Sequence, residues 1–382
     1  MNQPVIVAAV RTPIGKIRGA LKDLHPAVLG GIVIREALTR SRLMGEEVDD
    51  VIFGNCLGGG GNMARQALLE AGLPLAATGI TVDRQCGSGI NAVALAASLI
   101  RAGEGRVYVA GGTESMTRSP YLLEVSERGP QVVRRKLSPD HIGDPPMGIT
   151  AENLVARYGI SREEQDDFAL RSQRNMQRAV QEGRFVEQIV PVTVPMKKGE
   201  PLLVDRDEHP RPDTTLEALA KLAPAFKQGG SVTAGNSSGM NDGAGALVLM
   251  AEEEAERRGL EPLARVTGWA VAGVDPNIMG IGPVPATQTL LTRMGLRLDD
   301  VDLIEINEAF AAQVLACDRE LRFDMDKVNV NGGAIAHGHP IAATGAMLVT
   351  KLAYELKRSG AKRGLVTACI GGGQGIALMI ER

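Results

Sequence analysis

Short apolar runs alternate with longer amphipathic stretches along the first third of the chain. Residues 5–10 read as a strand, 27–42 as a helix, 51–56 as a strand, 64–72 as a helix and 80–82 as a strand just ahead of Cys86. This rhythm predicts an α/β sheet. Residues 91–101 (NAVALAASLIR) predict a helix closed by Gly103, and 106–110 a buried strand stopped by Gly111 and Gly112. The helix is apolar on nearly every side, which places it between two sheets rather than on the surface.

From Met116 to about Met240 the pattern shifts to charge, proline and loop signals such as DPPMG at 144–148 and EHPRPD at 208–213. This region predicts an insertion holding one amphipathic helix, capped by Ser161 with Glu164 three residues later and running toward Glu182 before Gly183. Alternation then resumes with a strand at 244–251, a helix at 252–258 and a second α/β block opening at 265–272. The pair formed by 92–103 and strand 106–110 is echoed by 348–360 and strand 364–368, a pattern that indicates internal duplication.

A chain of 382 residues exceeds what one hydrophobic core usually organises, so two packed units or one duplicated unit is expected. With 44% hydrophobic and 23% charged residues it is an ordinary globular chain, not disordered, collagenous or a coiled coil. Lys plus Arg at 42 against Asp plus Glu at 45 leaves no basic field for nucleic acid or an anionic membrane. One Trp, four Tyr and six Phe are too few for base stacking or an interfacial belt, so the core must be aliphatic. The 46 glycines cluster in short runs, which brings backbone close to something. Cys56, Cys86, Cys317 and Cys369 form no C-x-x-C pair, which predicts free thiols and a reducing compartment. Without a leader-like start or a membrane-length apolar stretch, a cytoplasmic location is expected.

Cys86 lies in TVDRQCGSGINA, between a strand and the start of the buried helix. A helix N-terminus lowers a thiol's pKa and favours the nucleophilic thiolate, and Gly87 and Gly89 remove side chains that would block approach. The plainer alternative is a small buried cysteine. Residues 87–92 (GSGINA) also fit a dinucleotide fingerprint, but the acid expected about 20 residues on fits poorly: Glu104 is in a turn and Glu114 follows the glycine stop. His337 and His339 occupy a glycine-rich loop at 329–345 (NVNGGAIAHGHPIAATG), where Pro340 biases His339 toward the fixed, extended backbone that suits a base. A metal held by these two lacks further ligands in the sequence. Cys369, in TACIGGGQG, ends a buried strand at a glycine run whose N–H groups suit an oxyanion hole. Asn307, in INEAFAAQ, reads equally as a helix cap.

Six segments, VIVAAVRTPIGK at 5–16, RQCGSG, VTAGNSSGMNDGA at 232–244, INEAFA, GHPIAATG and CIGGGQG, together resemble the thiolase family in its order across nearly the whole chain. The resemblance implies a five-layered αβαβα fold of two related halves with an inserted loop domain. The halves are 1–117 plus 241–262, carrying the nucleophile, and 263–382, carrying Asn, His and the second Cys; the loop domain is 118–240, covering the coenzyme A site. It implies that Cys86 is the acylated nucleophile, Cys369 the acid/base thiol, and His339 and Asn307 their partners, with the N–H groups of Cys86 and Gly371 as oxyanion hole. Ser238 would lie near the pantetheine arm, Arg211 beside the adenine nucleotide, and Met147, Met279 and Phe310 around the acyl end. The implied activity is acyl transfer between Cys86 and coenzyme A, cleaving 3-ketoacyl-CoA or running the reverse Claisen condensation, in fatty-acid degradation or acetoacetyl-CoA synthesis. Coenzyme A is then a substrate, with no permanently bound cofactor and no metal, and the protein is a homodimer or dimer of dimers. The alternative is a thiolase-like acyl-CoA-binding protein with little turnover. Three departures stand out: Pro146 where many short-chain members carry His, as in broad-range members; Ala342 for a frequent glycine; and a short 118–146 stretch.

Overall fold

In the computed structural model, which describes residues 2–382 apart from positions 59 and 128, the chain opens with β1 (Pro4–Arg11), the short β2 (Gly15–Lys16) and α1 (Pro26–Ser41). There follow β3 (Asp50–Gly54), α2 (Met63–Glu70), β4 (Gly79–Val82), α3 (Ser88–Ala102) and β5 (Val107–Ser115). The stretch up to position 240 holds two hairpins, β6 (Leu122–Ser126) with β7 (Gly129–Val133) and β8 (Val192–Val194) with β9 (Leu202–Val204). Its helices are α4 (Met147–Tyr158), α5 (Arg162–Gln181) and α6 (Leu216–Ala220). The chain continues with β10 (Asn241–Ala251), α7 (Glu252–Arg257), β11 (Ala264–Gly273), α8 (Pro283–Met294), β12 (Leu303–Ile306) and α9 (Ala311–Leu321). It closes with α10 (Ala334–His337), α11 (Ile341–Ser359), β13 (Arg363–Ile370) and β14 (Gln374–Glu381).

The main sheet runs β12-β13-β14-β11-β1-β10-β5-β3-β4, with β2 beside β10. Only Val5 with Arg265 and Ile6 with Ala264 pair across β1 and β11, so two half-sheets meet at an edge. Each half repeats the same relations. β3 lies parallel to β5 as β12 does to β13; β10 lies antiparallel to β5 and β1 as β14 does to β13 and β11. Even β4 has a counterpart, reduced to a parallel bridge between Ile304 and Val328.

Period-two alternation distributes the strand residues among layers. Val51, Phe53, Val109 and Val248 pack with Leu29 and Val33 of α1 and Leu68 of α2. Their neighbours Ile52, Ala110, Leu247 and Leu249 turn the other way, onto Ile90 and Val93 of α3 and Val349 and Leu352 of α11. Val366, Ile370, Ile376 and Leu378 of the second half-sheet close that middle layer from the far side. Leu365, Ala377 and Met379 then face Leu290 of α8 and Val314 of α9. The layers are therefore α1/α2, sheet, α3/α11, sheet and α8/α9, which is why α3 is apolar all round and the strand centres read as apolar runs. Gly111 and Gly112 do not stop β5, which runs on to Ser115; they are bare because Gly245 O and Ala342 O approach them, 2.1 and 2.2 Å from where a Cβ would be.

Glycine makes the middle layer close-packed. A Cβ on Gly89 would lie 2.4 Å from Ala346 N, and one on Gly112 would lie 2.2 Å from Ala342 O, so α11 rests backbone-to-backbone on the other half. The loop region is anchored on β1, β2 and the turn after it: Arg11 Nη1 and Nη2 donate to Asp207 Oδ1 and Oδ2 at 2.7 and 2.9 Å, and Lys16 N and Ala20 N donate to Glu208 Oε2 at 2.9 and 3.1 Å. Helix α5 carries the expected capping box, with Glu164 N donating to Ser161 Oγ and Ser161 N to Glu164 Oε2. Helix α4 starts inside DPPMG, at Met147 with Pro146 as its cap, where the sequence signals only a loop. No helix among the described residues is long and apolar enough to cross a membrane.

Candidate active site

Cys86 sits in a 3-10 turn (Gln85–Gly87) that joins the end of β4 to α3. Gln85 has φ 43°, a left-handed conformation that glycine adopts more readily, and local hydrogen bonds hold it there. Gln85 N donates to Asp83 Oδ1 at 2.9 Å, while Ser88 Oγ accepts from Arg84 N at 2.8 Å and donates to Gln85 O at 2.7 Å. The thiol thus projects from the first half toward groups contributed by the second.

His339 Nε2 lies 3.2 Å from Cys86 Sγ and 3.4 Å from Asn307 Nδ2. The Asn307 amide and the thiol are both donors, so Nε2 is the accepting nitrogen and Nδ1–H donates to Thr344 Oγ1 at 2.6 Å. His339 N donates to Asn241 Oδ1 at 2.9 Å, which fixes the backbone as well as the ring. Asn307 is fully buried between β12 and α9, and its Oδ1 has no hydrogen-bond partner. It is not a helix cap, because α9 starts at Ala311 with Phe310 in the capping position. Cys369 is buried at the end of β13, close enough for Cys86's charge to act on it. The N–H groups of Gly371 and of Cys86 itself lie close enough to the Cys86 sulfur to favour its charged form.

Burial overturns the expectation that the helix start lowers the Cys86 pKa. Desolvation pushes the thiol up to about 11, against the pull of the Gly371 and Cys86 N–H groups. Burial also holds His339 down at about 4, so the imidazole is neutral and able to accept a proton near neutral pH. Cys369 is pushed well up, first by burial and then by Cys86, which keeps it a protonated thiol at rest. Transfer of the Cys86 proton to His339 would create a thiolate and an imidazolium that stabilise each other.

Met147, Met279 and Phe310 cluster with Cys369, Ala151 and Ala309, forming an apolar wall beside the thiols. Phe226 stacks edge-on to Phe310 with ring centroids 5.9 Å apart, and Leu137 lies over Gly371, 2.8 Å from where a Cβ would be. Arg211 lines a separate cavity of about 400 Å³ with Gln173, His209, Leu219, Ala234 and Gly235. Ser238 does not line that cavity; its N–H donates to Ala309 O at 3.0 Å, tying it to the apolar wall. Thr344, Asn241, Leu137 and Phe226 were not singled out by sequence. For Thr344 the available signal was its place one turn into the helix that follows His339.

Two other readings of the sequence find no support in this geometry. Gly87 faces Ile370 and Ile376, and Gly89 faces the backbone of α11, so what approaches these glycines is protein, not a pyrophosphate or a substrate. His337 turns away from His339: its Nδ1 lies 2.8 Å from Gly338 O and its Nε2 3.4 Å from Lys351 Nζ.

Family models describing a thiolase N-terminal domain and a thiolase C-terminal domain match residues 4–253 and 260–382. Among similar proteins are acetyl-CoA acetyltransferases of Pseudomonas aeruginosa, 50% identical over all of both chains, and Syntrophomonas wolfei, 49% identical over 100% of this chain and 99% of the relative. The solved acetyl-CoA acetyltransferase of Bacillus anthracis superposes with a TM-score of 0.95 at 49% identity, covering 100% of this chain and 99% of the other. Human mitochondrial 3-ketoacyl-CoA thiolase superposes with a TM-score of 0.93 at 43% identity and the same coverage.

Proposed function

Because the chain belongs to the thiolase family, we propose that it is an acyltransferase moving an acyl group between the Cys86 thiol and coenzyme A, with 3-ketoacyl-CoA as the substrate cleaved. His339 takes the Cys86 proton as the sulfur attacks the 3-keto carbon. The tetrahedral oxyanion is held by the N–H groups of Cys86 and Gly371. Carbon–carbon cleavage expels the enolate of acetyl-CoA. Its thioester oxygen is held by protonated His339 and by a water donating to Asn307 Oδ1, a role that the buried, unpartnered oxygen supports. Cys369, which its strongly raised pKa keeps protonated until this point, gives its proton to the still more basic enolate carbon. The Cys369 thiolate then takes the proton of an incoming coenzyme A thiol, which attacks acyl-Cys86. His339 returns its proton to the leaving sulfur, and both bases regain their starting state. Run backward, the steps are a Claisen condensation.

The observation that carries this reading is the His339 ring, from one half, within 3.2 Å of the Cys86 sulfur from the other and 3.4 Å of Asn307. A binding protein without turnover would have no need of that arrangement. The cavity beside Arg211 and His209 is the proposed seat of the coenzyme, with Ser238 nearer the pantetheine arm and Met147, Met279 and Phe310 around the acyl group. Self-association as a homodimer or dimer of dimers belongs to the same proposal. It is supported by β4, which ends the sheet with Ile80 49% exposed. The test is CoA-dependent cleavage of 3-ketoacyl-CoA substrates from short to long chains. A measurable kcat/KM that is lost in Cys86→Ala is expected; unchanged cleavage by that variant refutes the mechanism.

A further inference from the structure

Glu114, near the end of β5, is fully buried and faces only hydrogen-bond donors. Its Oε1 accepts from Asn55 Nδ2 and Leu57 N, each at 3.0 Å, and its Oε2 accepts from Cys56 N at 3.1 Å and Ala342 N at 3.3 Å. Three of these donors belong to the loop after β3. The fourth belongs to the first turn of α11, in the other half of the molecule. That turn has no acidic residue and no side-chain cap of its own, so Glu114 supplies from across the interface the anion that a helix N-terminus favours. The same turn carries Thr344, which holds the His339 ring.

We propose that Glu114 is a positioning residue: its carboxylate latches the His339-bearing turn of α11 onto the Cys86-bearing half, and its protonation releases that turn. A proton on either oxygen finds no acceptor among four donors, so it must displace one of them. The longest bond, to Ala342 N, is the one most easily lost. The latch then slackens the contact between Cys86 and His339 without unfolding either half. Charged and titratable groups around Glu114 are Asp83 and Cys86 on the segment before α3, Cys56 on the loop after β3, and Arg135 of the loop region, whose Nη1 donates to Cys56 O. Asp242 on β10 is engaged with Ser115 and Thr117, and the first turn of α11 brings no charge. Burial raises the Glu114 pKa to about 7, above the opposing pull of its N–H partners, so the latch would change state near neutral pH.

This inference rests on the thiolase reading, and two readouts separate them. The first is kcat and KM for thiolysis from pH 5.5 to 8.5 in the wild type and Glu114→Gln, with melting temperature at each pH. The second is the rate of Cys86 alkylation by iodoacetamide over the same range, which needs no turnover. A latch predicts that wild-type kcat and alkylation both rise through pH 7 more steeply than thiol ionisation alone provides. Glu114→Gln should lack that step and lose about tenfold in kcat, as expected for a displacement of a fraction of an ångström, with KM little changed. A purely electrostatic Glu114 would repel the thiolate as it ionises and slow alkylation, the opposite sign. Turnover with superimposable wild-type and Gln profiles overturns the latch alone. An alkylation step without any turnover overturns the thiolase reading alone. Should the Gln variant not fold, the wild-type profiles decide, and absence of the step overturns the latch.

Discussion

Gly89→Ala isolates the contact between the two halves. The added Cβ would meet Ala346 N at 2.4 Å, Ala342 O at 2.9 Å and Gly345 C at 3.1 Å, all backbone atoms of α11 with no flexible end to swing aside. To reach ordinary contact, α3 and α11 must separate by roughly one ångström, an overpacking that costs about 1–3 kcal/mol. Replacing a helical glycine by alanine returns up to about 1 kcal/mol of helix propensity, so the net loss of stability is modest. Catalysis has no such compensation. Helix α3 follows directly from the Cys86 turn and α11 from the His339 loop, so the 3.2 Å contact between sulfur and imidazole opens with the helices. A misplacement of about 1 Å can cost about 100-fold in rate. The assay pairs thermal denaturation with kcat and KM for 3-ketoacyl-CoA thiolysis, using Gly273→Ala, whose Cβ meets nothing within 4 Å, as control. A small shift in melting temperature with a drop in kcat of one to two orders of magnitude, about 10- to 100-fold, is expected. A folded Gly89→Ala with wild-type kcat would refute the idea that this approach sets the catalytic geometry.

Other expectations follow from the same geometry. Cys369→Ala should lower kcat by about 10²–10⁴-fold, as for loss of a general acid–base, while iodoacetamide still alkylates Cys86 at close to the wild-type rate. Asn307→Ala, which removes the proposed water anchor, should reduce kcat by about 10²–10³-fold with KM little changed; a rise in KM alone would contradict its role. Asp207→Asn breaks a buried pair with Arg11 and should cost about 3–5 kcal/mol in denaturant unfolding, with a raised KM for coenzyme A because Arg211 lies four residues on. In pH titrations His339, held at about 4 in the fold, lends stability that is full above its unfolded value near 6.5 and lost as pH falls to about 4. His209, also at about 4, acts in the same direction, whereas Glu114 and Glu305, raised to about 7, lose stability as pH rises from 4.5 to 7. His339→Asn should therefore lose less melting temperature than the wild type between pH 6.5 and 4; parallel curves would contradict the burial of a neutral ring.

Residues buried on both faces announce themselves, which is why β1, α3 and the apolar parts of β5 and β10 are legible, whereas the polar end of β5 beyond Gly111 and Gly112 and the Asn241–Asp242 start of β10 are not. Helix α4 is not: Pro145 and Pro146 signal a loop immediately before it, although Met147, Ala151, Leu154 and Val155 keep helical spacing. Cys86, His339, Asn307 and Cys369 are each visible through their glycine-rich or strand-end contexts. Their meeting is not, because 253 positions separate Cys86 from His339 and only the docking of α3 on α11 joins them. The same docking explains the misjudged thiol. Local sequence shows a helix N-terminus, which lowers a pKa, while the desolvation that outweighs it comes partly from the other half. Gly87 and Gly89 are legible as points of close approach, but the sequence alone does not say that Ile370 and α11 are what approaches. Glu114 looks like a stray acid after a glycine stop until α11 is laid against it.

The most direct test is to find the covalent intermediate. The protein is incubated with acetoacetyl-CoA in the absence of free coenzyme A, quenched in acid, digested and examined by mass spectrometry. One acetyl group on the peptide containing Cys86, discharged when coenzyme A is added before the quench, is the expected result. Acetylation of Cys56, Cys317 or Cys369 in its place, or sustained turnover with no modified cysteine, would contradict Cys86 as the nucleophile.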